Sequence, residues 1–139
     1  MTVDYVLGFM FDKKTKQVLL IMKNRPKWQR GKLNGIGGHI EPRDKSPKHA
    51  MAREFKEETG IETIPDKWGQ VCLMSGIDWN VYVFRTFNDD IFNYQNRTDE
   101  KCRLEEIKNL PEFVIPNLRW LIPFSLDADI SKETIIKYN

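Results

Sequence analysis

The segment GGHIEPRDKSPKHAMAREFKEETGIE, Gly37 to Glu62, constrains this chain more than any other stretch. Ser46 followed by Pro47 is a helix start: a hydroxyl N-cap, then proline at the first helical position, where its missing N–H costs nothing. The spacing predicts a helix from there to about Thr59, stopped by Gly60. At about 100° per residue, Glu57 lies about 60° to one side of Glu54 and Glu58 about 40° to the other. Three carboxylates therefore share one face, while Phe55, Thr59 and Ala52 occupy the opposite, packing arc. Like charges at this spacing repel by a few tenths of a kcal/mol per pair, so the acidic face calls for a compensating positive group.

Oxygen donors within one turn, with no Cys or His close by in sequence, suit a hard divalent cation such as Mg²⁺ or Mn²⁺ better than zinc. A bare ExxEE pattern is also what a solvated helix face looks like. Context separates the two readings. Gly37 and Gly38 let backbone approach a ligand closely, and their loop runs straight into the acidic helix, so loop and helix can build one site. Arg53 lies about 100° around from Glu54, where it can hold a carboxylate or reach back to the loop.

The rest of the chain supplies a frame for that helix. Val3 to Phe11 and Gln17 to Met22 are apolar runs separated by the turn DKKTK and read as a β-hairpin. Lys23 to Gly38 is mostly loop, with a short extended piece in LNGIGGHIE. Gln70 to Ser75 and Asn80 to Phe87 read as strands, Cys102 to Ile107 as a weaker one, and Asn88 to Thr98 as a surface loop. NLRWLIPFSL, Asn117 to Leu126, places Leu118, Leu121 and Ile122 at helical spacing, with Pro123 expected to kink or end the helix. The order strand, strand, helix, strands, helix predicts an α+β or α/β domain with a mixed sheet between helices.

With 139 residues, 40% hydrophobic and 30% charged, the chain reads as one soluble domain spanning 1–139 with a real core. The net charge of +2 gives no case for general nucleic-acid binding. The opening MTVDYVLGFMFDKK lacks a basic stretch followed by a long apolar core, and no apolar run is long enough to span a membrane. A cytosolic protein, with a homodimer left open, is the simplest reading. Cys72 and Cys102 have no metal-ligand spacing and no adjacent His, and read as two reduced structural thiols.

At the glycines and the acidic helix the chain resembles the Nudix hydrolases, and in particular their MutT-type members. That family's box is Gly, five residues, Glu, seven residues, Arg-Glu, an apolar residue, any residue, Glu-Glu, any residue, Gly and an apolar residue. Arg53, Glu54, Phe55, Lys56, Glu57, Glu58, Thr59, Gly60 and Ile61 match its second half without exception, and the strand order over nearly the whole chain agrees. The first half departs. Counted from Gly38 the family's loop glutamate falls on Asp44, and counted back from Arg53 it falls on Lys45, so EPRDKSP holds an extra residue. Because this lies before Ser46, it lengthens the loop without rotating the helical carboxylates, and Asp44 or Glu41 is expected to substitute for the loop glutamate.

The resemblance implies an α/β/α sandwich and metal-dependent hydrolysis of a nucleoside diphosphate linked to another moiety. It makes Glu54, Glu57 and Glu58 metal ligands for Mg²⁺ or Mn²⁺, with the carbonyl of Gly38 as a further donor. Arg53 holds a carboxylate, and one of the glutamates, or a carboxylate from a later loop such as Asp99 or Glu100, acts as base for water. Asn34 in LNGIGG and Asn117 in IPNLRWL stand where relatives contact a purine, and an amide offers both donor and acceptor; each also reads as a turn or helix cap. Gly37 and Gly38 bring backbone to the phosphates, and among Lys23, Arg25, Lys27, Arg30 and Lys32 one or two residues, Arg25 first, hold phosphate oxygens. Trp28 either stacks on a base or covers the core. Trp120, His39 and His49 read as structural.

The leading expectation is a (d)NTP pyrophosphohydrolase, with an oxidised purine nucleotide among the candidate substrates, releasing monophosphate and pyrophosphate. The alternatives are a hydrolase of ADP-ribose, a dinucleoside polyphosphate or capped RNA, and a catalytically silent nucleotide-binding module. The irregular first half of the box is the only support for the last, and the intact REFKEETGI opposes it.

Overall fold

The alternation of apolar residues in strand β1 (Val3–Phe11) sets the layers. Successive side chains of a strand point to opposite faces, so Val6 and Met10 go to one face and Leu7, Phe9 and Phe11 to the other, each joining a separate buried cluster. The computed structural model describes residues 1–139. Its elements are β1, β2 (Gln17–Met22), β3 (Leu33–Asn34), β4 (Ile36–His39), α1 (Pro47–Thr59), β5 (Gly69–Ser75), β6 (Trp79–Phe87), β7 (Cys102–Glu106), α2 (Leu118–Leu126) and β8 (Ile135–Lys137). The result is a mixed eight-stranded sheet between two helices, as the element order predicts.

β1 is the hub. β6 runs parallel to it along its whole length, from Val3↔Trp79 to Phe11↔Phe87, and β4 takes its other edge antiparallel, from Tyr5↔His39 to Gly8↔Ile36. A strand has only two edges, so the expected hairpin with β2 is confined to its base, at Phe11↔Val18. Beyond that pair β2 diverges to meet β7 and β3. β5 extends the sheet beyond β6, and β8 lies parallel to β5 at the edge. The sequence reading missed β8: three residues in a polar context carry no alternation signal.

Helix α1 lies on one face of the sheet. Ala50, Met51, Ala52 and Phe55 are buried there with Val6, Met10, Leu19, Ile21 and Ile36, and full burial of Phe55 or Met51 stabilises by about 1.5–3 kcal/mol apiece. The helix bounds are those expected, and Gly60 ends it in the left-handed region at φ 76°. Ser46, however, does not cap with its side chain; its hydroxyl instead pairs with His49 Nδ1 at 2.7 Å. On the opposite face α2 buries Leu118, Leu121 and Ile122 against Leu7, Phe9, Leu33 and Val83. Pro123 does not stop α2, which continues to Leu126. Pro123 and Arg119, whose carbonyl loses its helical donor, are both on the exposed side, where water can take over. Trp120 is on that exposed side too, 42% accessible, and is not core; nor does Trp28 cover the core, being 63% accessible.

Candidate active site

The packing described above leaves the acidic side of α1 facing β4 and the loop after it. Glu54 is the most enclosed of the three glutamates, its side chain only 12% exposed. Gly38 is what admits it: a Cβ at that position would sit 2.2 Å from Glu54 Oε1, so the carboxylate and the β4 backbone come together only because residue 38 has no side chain. Gly37 is required for a different reason, since a Cβ there would lie 1.9 Å from the carbonyl oxygen of Val6. One glycine opens the site and the other closes the sheet.

Arg53 spans the site. Its Nε and Nη2 grip Asp44 Oδ1 and Oδ2 at 2.8 and 2.9 Å, and Nη2 also donates to the His39 carbonyl at 3.0 Å. Nη1 faces Glu41 Oε2 at 3.0 Å and Glu57 Oε1 at 3.2 Å. Of the two expected substitutes for the loop glutamate, Asp44 makes the bidentate pair and Glu41 the single contact. The hydrogen bonds from Arg53, opposed by burial, hold the Asp44 carboxyl below the ordinary aspartate value.

The remaining carboxylates are held from different directions. Burial pushes Glu54 up to about 7; Arg53 opposes this, while Glu57, Glu58 and Glu41 reinforce it. Its Oε2 is enclosed with no hydrogen-bond partner, and Arg53 Nη1 stands 3.6 Å off, too far for a hydrogen bond. Glu58 is raised by burial although Thr98 Oγ1 donates to its Oε2 at 3.0 Å. Glu57 is about half exposed, at 49%, with Arg43 Nη2 3.5 Å away.

Glu100, expected as a base, is 4% accessible and already engaged. It accepts Lys23 Nζ at 2.9 Å, the Asn24 N–H at 2.6 Å and the Arg25 N–H at 3.2 Å. Burial alone would raise its pKa, but these donors outweigh it and the carboxyl ends below the ordinary range. Arg25 itself is paired with Asp99. Residues 98–100 thus tie the basic loop to the acidic helix. The Thr98 link carries no motif in the sequence and went unnoticed there.

The two asparagines share no hydrogen bond. Asn34 braces its own turn, accepting from the Gly35 N–H at 2.8 Å and donating to Gln29 Oε1 at 3.0 Å. It also opposes Ile21, a residue of the α1-side cluster. Asn117 opens α2 on the other face, without a side-chain cap bond. The His39 ring packs tilted against Tyr5, with 4.5 Å between centroids, and both cysteines are free and buried. A concavity of about 800 Å³ lined by Ser46, Pro47, Lys48, Trp68, Arg85, Ala128, Ile130, Lys132 and Glu133, among others, holds none of the expected site residues.

As the side chains stand, no three acidic, histidine or cysteine groups converge closely enough to hold a metal ion. Glu57 leans toward Arg53 and Glu58 toward Thr98. The donor set nevertheless fits a hard divalent cation. An enclosed carboxylate oxygen without a partner, a backbone carbonyl strand that only glycine lets approach, and two further carboxylates on the same helix face are oxygen donors looking for positive charge.

A family model of the NUDIX domain matches residues 1–121. The chain belongs to the Nudix family. Its fold is shared with solved structures of low sequence identity. A MutT structure from work on Aliivibrio salmonicida and Vibrio cholerae superposes with a TM-score of 0.70 at 18% identity, covering 91% of this chain and 98% of that one. A NUDIX hydrolase of Nitrosomonas europaea gives 0.72 at 18%, over 99% and 80%. The MutT mutator protein of Bacillus halodurans gives 0.70 at 19%, over 99% and 90%. At such identities the likeness shows the fold. Membership makes this chain a Nudix pyrophosphohydrolase, of the class of enzyme that acts on nucleoside diphosphate-linked substrates. No helix is long and apolar enough to cross a membrane.

Proposed function

We propose that this Nudix enzyme hydrolyses a nucleoside triphosphate to monophosphate and pyrophosphate, using Mg²⁺ or Mn²⁺. The observation that carries the reading is the Glu54 carboxylate, enclosed against Gly38 with one oxygen unpartnered, on a helix whose other two glutamates flank it. Glu54, Glu57, Glu58 and the Gly38 carbonyl would hold the ion. A divalent ion bound there supplies charge neutralisation for the pyrophosphate and polarises the attacking water.

The chain's own residues do the positioning. Arg53 fixes Glu57 and the Asp44 loop, and Thr98 fixes Glu58. Lys23 and Arg25, oriented through Glu100 and Asp99, present positive charge to phosphate oxygens. Glu54 and Glu57 are the candidate bases for water; Glu57 is the one open to solvent. Glu100, with its donors already in place, serves as a brace for the basic loop. Asn117, which does not cap its helix, is the better of the two asparagines for a purine edge, and Asn34 supports the turn before Gly37.

The test is release of pyrophosphate and of phosphate from canonical and oxidised (d)NTPs, ADP-ribose and diadenosine polyphosphates, with and without Mg²⁺, for the wild type and Glu57→Gln. Metal-dependent pyrophosphate release from a triphosphate, lost in the variant, is the expected result. Turnover confined to ADP-ribose or dinucleotides would move the substrate to the other side of the family. Nucleotide binding with no turnover would make the chain a binding module.

A further inference from the structure

Thr98 stands on a turn that is fixed without help from the acidic helix. Asn96 Oδ1 accepts the Cys102 N–H at 2.8 Å, and the Glu100 carboxylate is gripped by Lys23 Nζ and by the N–H groups of Asn24 and Arg25. Within the turn the Thr98 hydroxyl oxygen accepts the Glu100 N–H at 3.1 Å. Its one hydrogen then has two acceptors in reach, the Glu100 carbonyl at 3.2 Å and Glu58 Oε2 at 3.0 Å. The carboxylate is the nearer and the charged one, and charge-assisted hydrogen bonds are the stronger. The hydroxyl is therefore a donor aimed at Glu58 from a fixed frame.

That bond divides the two oxygens of Glu58. Oε2 is turned to Thr98, the one hydrogen-bond partner of the side chain, and Oε1 is left for an ion. To chelate an ion with both oxygens, the carboxylate has to turn Oε2 away from Thr98 and give up this bond. Hard cations differ in what they ask of a carboxylate. Ca²⁺ accepts a large, flexible oxygen shell in which carboxylates serve with one oxygen or with both, whereas Mg²⁺ is held to a tight octahedron and keeps several waters. A group behind the ligand that orients it can thus tune which ion the site prefers.

We propose that Thr98 sets the choice of ion: by holding Oε2 it keeps Glu58 a one-oxygen ligand, which favours Mg²⁺ over Ca²⁺. The inference rests on the reading of Glu58 as a metal ligand. Thr98 touches neither ion nor nucleotide and acts through Glu58, as a positioning residue.

The deciding experiment loads the nucleotide-free protein with Mn²⁺ and displaces it with Mg²⁺ or with Ca²⁺, following free Mn²⁺ by its electron paramagnetic resonance signal. The wild type is compared with Thr98→Val, which keeps the shape and loses the hydroxyl, and with Thr98→Ser, which keeps the hydroxyl. Thr98 is half-buried in a turn, so both variants are expected to fold, which a thermal melt checks; Thr98→Ala takes the place of the valine variant if that one does not. Loss of the hydroxyl should shift the ratio of Mg²⁺ to Ca²⁺ affinity toward Ca²⁺ by roughly threefold to tenfold, about the net worth of one hydrogen bond. Thr98→Ser should keep the wild-type ratio. A wild-type ratio in the variant without the hydroxyl, even where both affinities fall together, overturns the inference and leaves Thr98 a structural residue. A shift of the same size in Thr98→Ser overturns it as well. Failure of the ion reading shows itself separately, as a wild type that binds no Mn²⁺.

Discussion

Arg53 holds Asp44 through two parallel hydrogen bonds, Nε to Oδ1 at 2.8 Å and Nη2 to Oδ2 at 2.9 Å. This pairing explains how the chain tolerates an extra residue in the first half of its Nudix box. The extra residue lies in the loop before Ser46, and α1 starts in the usual register after it. The shorter aspartate side chain, carried by the longer loop, meets the arginine in the fork geometry that guanidinium and carboxylate share. Arg53 remains free at Nη1 to face Glu41 and Glu57. The loop and the acidic helix are therefore locked to each other by one side chain.

Asp44→Ala should destabilise the fold by about 3–5 kcal/mol at neutral pH, the usual cost of stripping one partner from a buried ion pair. Only 5% of the aspartate side chain is exposed. The pH dependence has a definite sign. The folded pKa lies below the ordinary 3.8, so the stabilisation is fully present above that value and is lost as pH falls through the folded pKa. Urea titrations of wild type and variant should differ most near neutrality and converge in acid. A gap that stays constant down to the acid limb would show that the charge is not what matters.

Gly38→Ala and Gly37→Ala should separate activity from stability. A methyl group at 38 meets the end of the Glu54 side chain, which can swing away; the fold survives and the carboxylate is displaced by about 1 Å or more, a misplacement that costs roughly a hundredfold in turnover. A methyl group at 37 meets the Val6 carbonyl, which cannot move without opening the β1–β4 ladder. Melting curves beside initial rates distinguish the two. Equal loss of stability in both variants would contradict the assignment of Gly38 to the site.

Much of this was legible in the sequence because it is local. Pro47 at the first helical position and Gly60 bound α1 by backbone chemistry alone, although the expected Ser46 side-chain cap is not made, and helical periodicity puts Glu54, Glu57 and Glu58 on one face without any knowledge of the sheet. Strand bounds for β1 and β2 followed from the apolar runs. Their partnership did not, because pairing is decided by which strands compete for the two edges of β1. Long-range contacts were equally hidden. Nothing in RTDEKC shows that Thr98 reaches Glu58, or that Glu100 turns inward to three donors from residues 23–25.

Glu100→Gln tests whether that residue braces or reacts. A brace that loses its charge lets the Lys23–Arg25 loop loosen, so KM for nucleotide should rise roughly threefold to tenfold with kcat nearly unchanged. Loss of a general base lowers kcat by about a hundredfold or more with little change in KM. Steady-state kinetics at saturating metal decide between them. The engaged geometry of the carboxylate favours the first pattern.

Glu54→Gln should have opposite effects with and without metal. In the metal-free protein Glu54 is enclosed, crowded by Glu57 and Glu58, and has one oxygen without a partner. Replacing the carboxylate by a neutral amide of the same shape removes the cost of burying charge, so the variant should be more stable than the wild type, by about 1 kcal/mol or more. Mg²⁺ should reverse that order. An ion that binds only the folded state stabilises it by about 2.7 kcal/mol at a hundred times its Kd, and the variant, short of its innermost ligand, should gain much less. Thermal melts of the two proteins across a Mg²⁺ titration should therefore cross. Parallel curves would mean that the ion, if it binds, does so without Glu54, and would remove the central ligand from the proposed site.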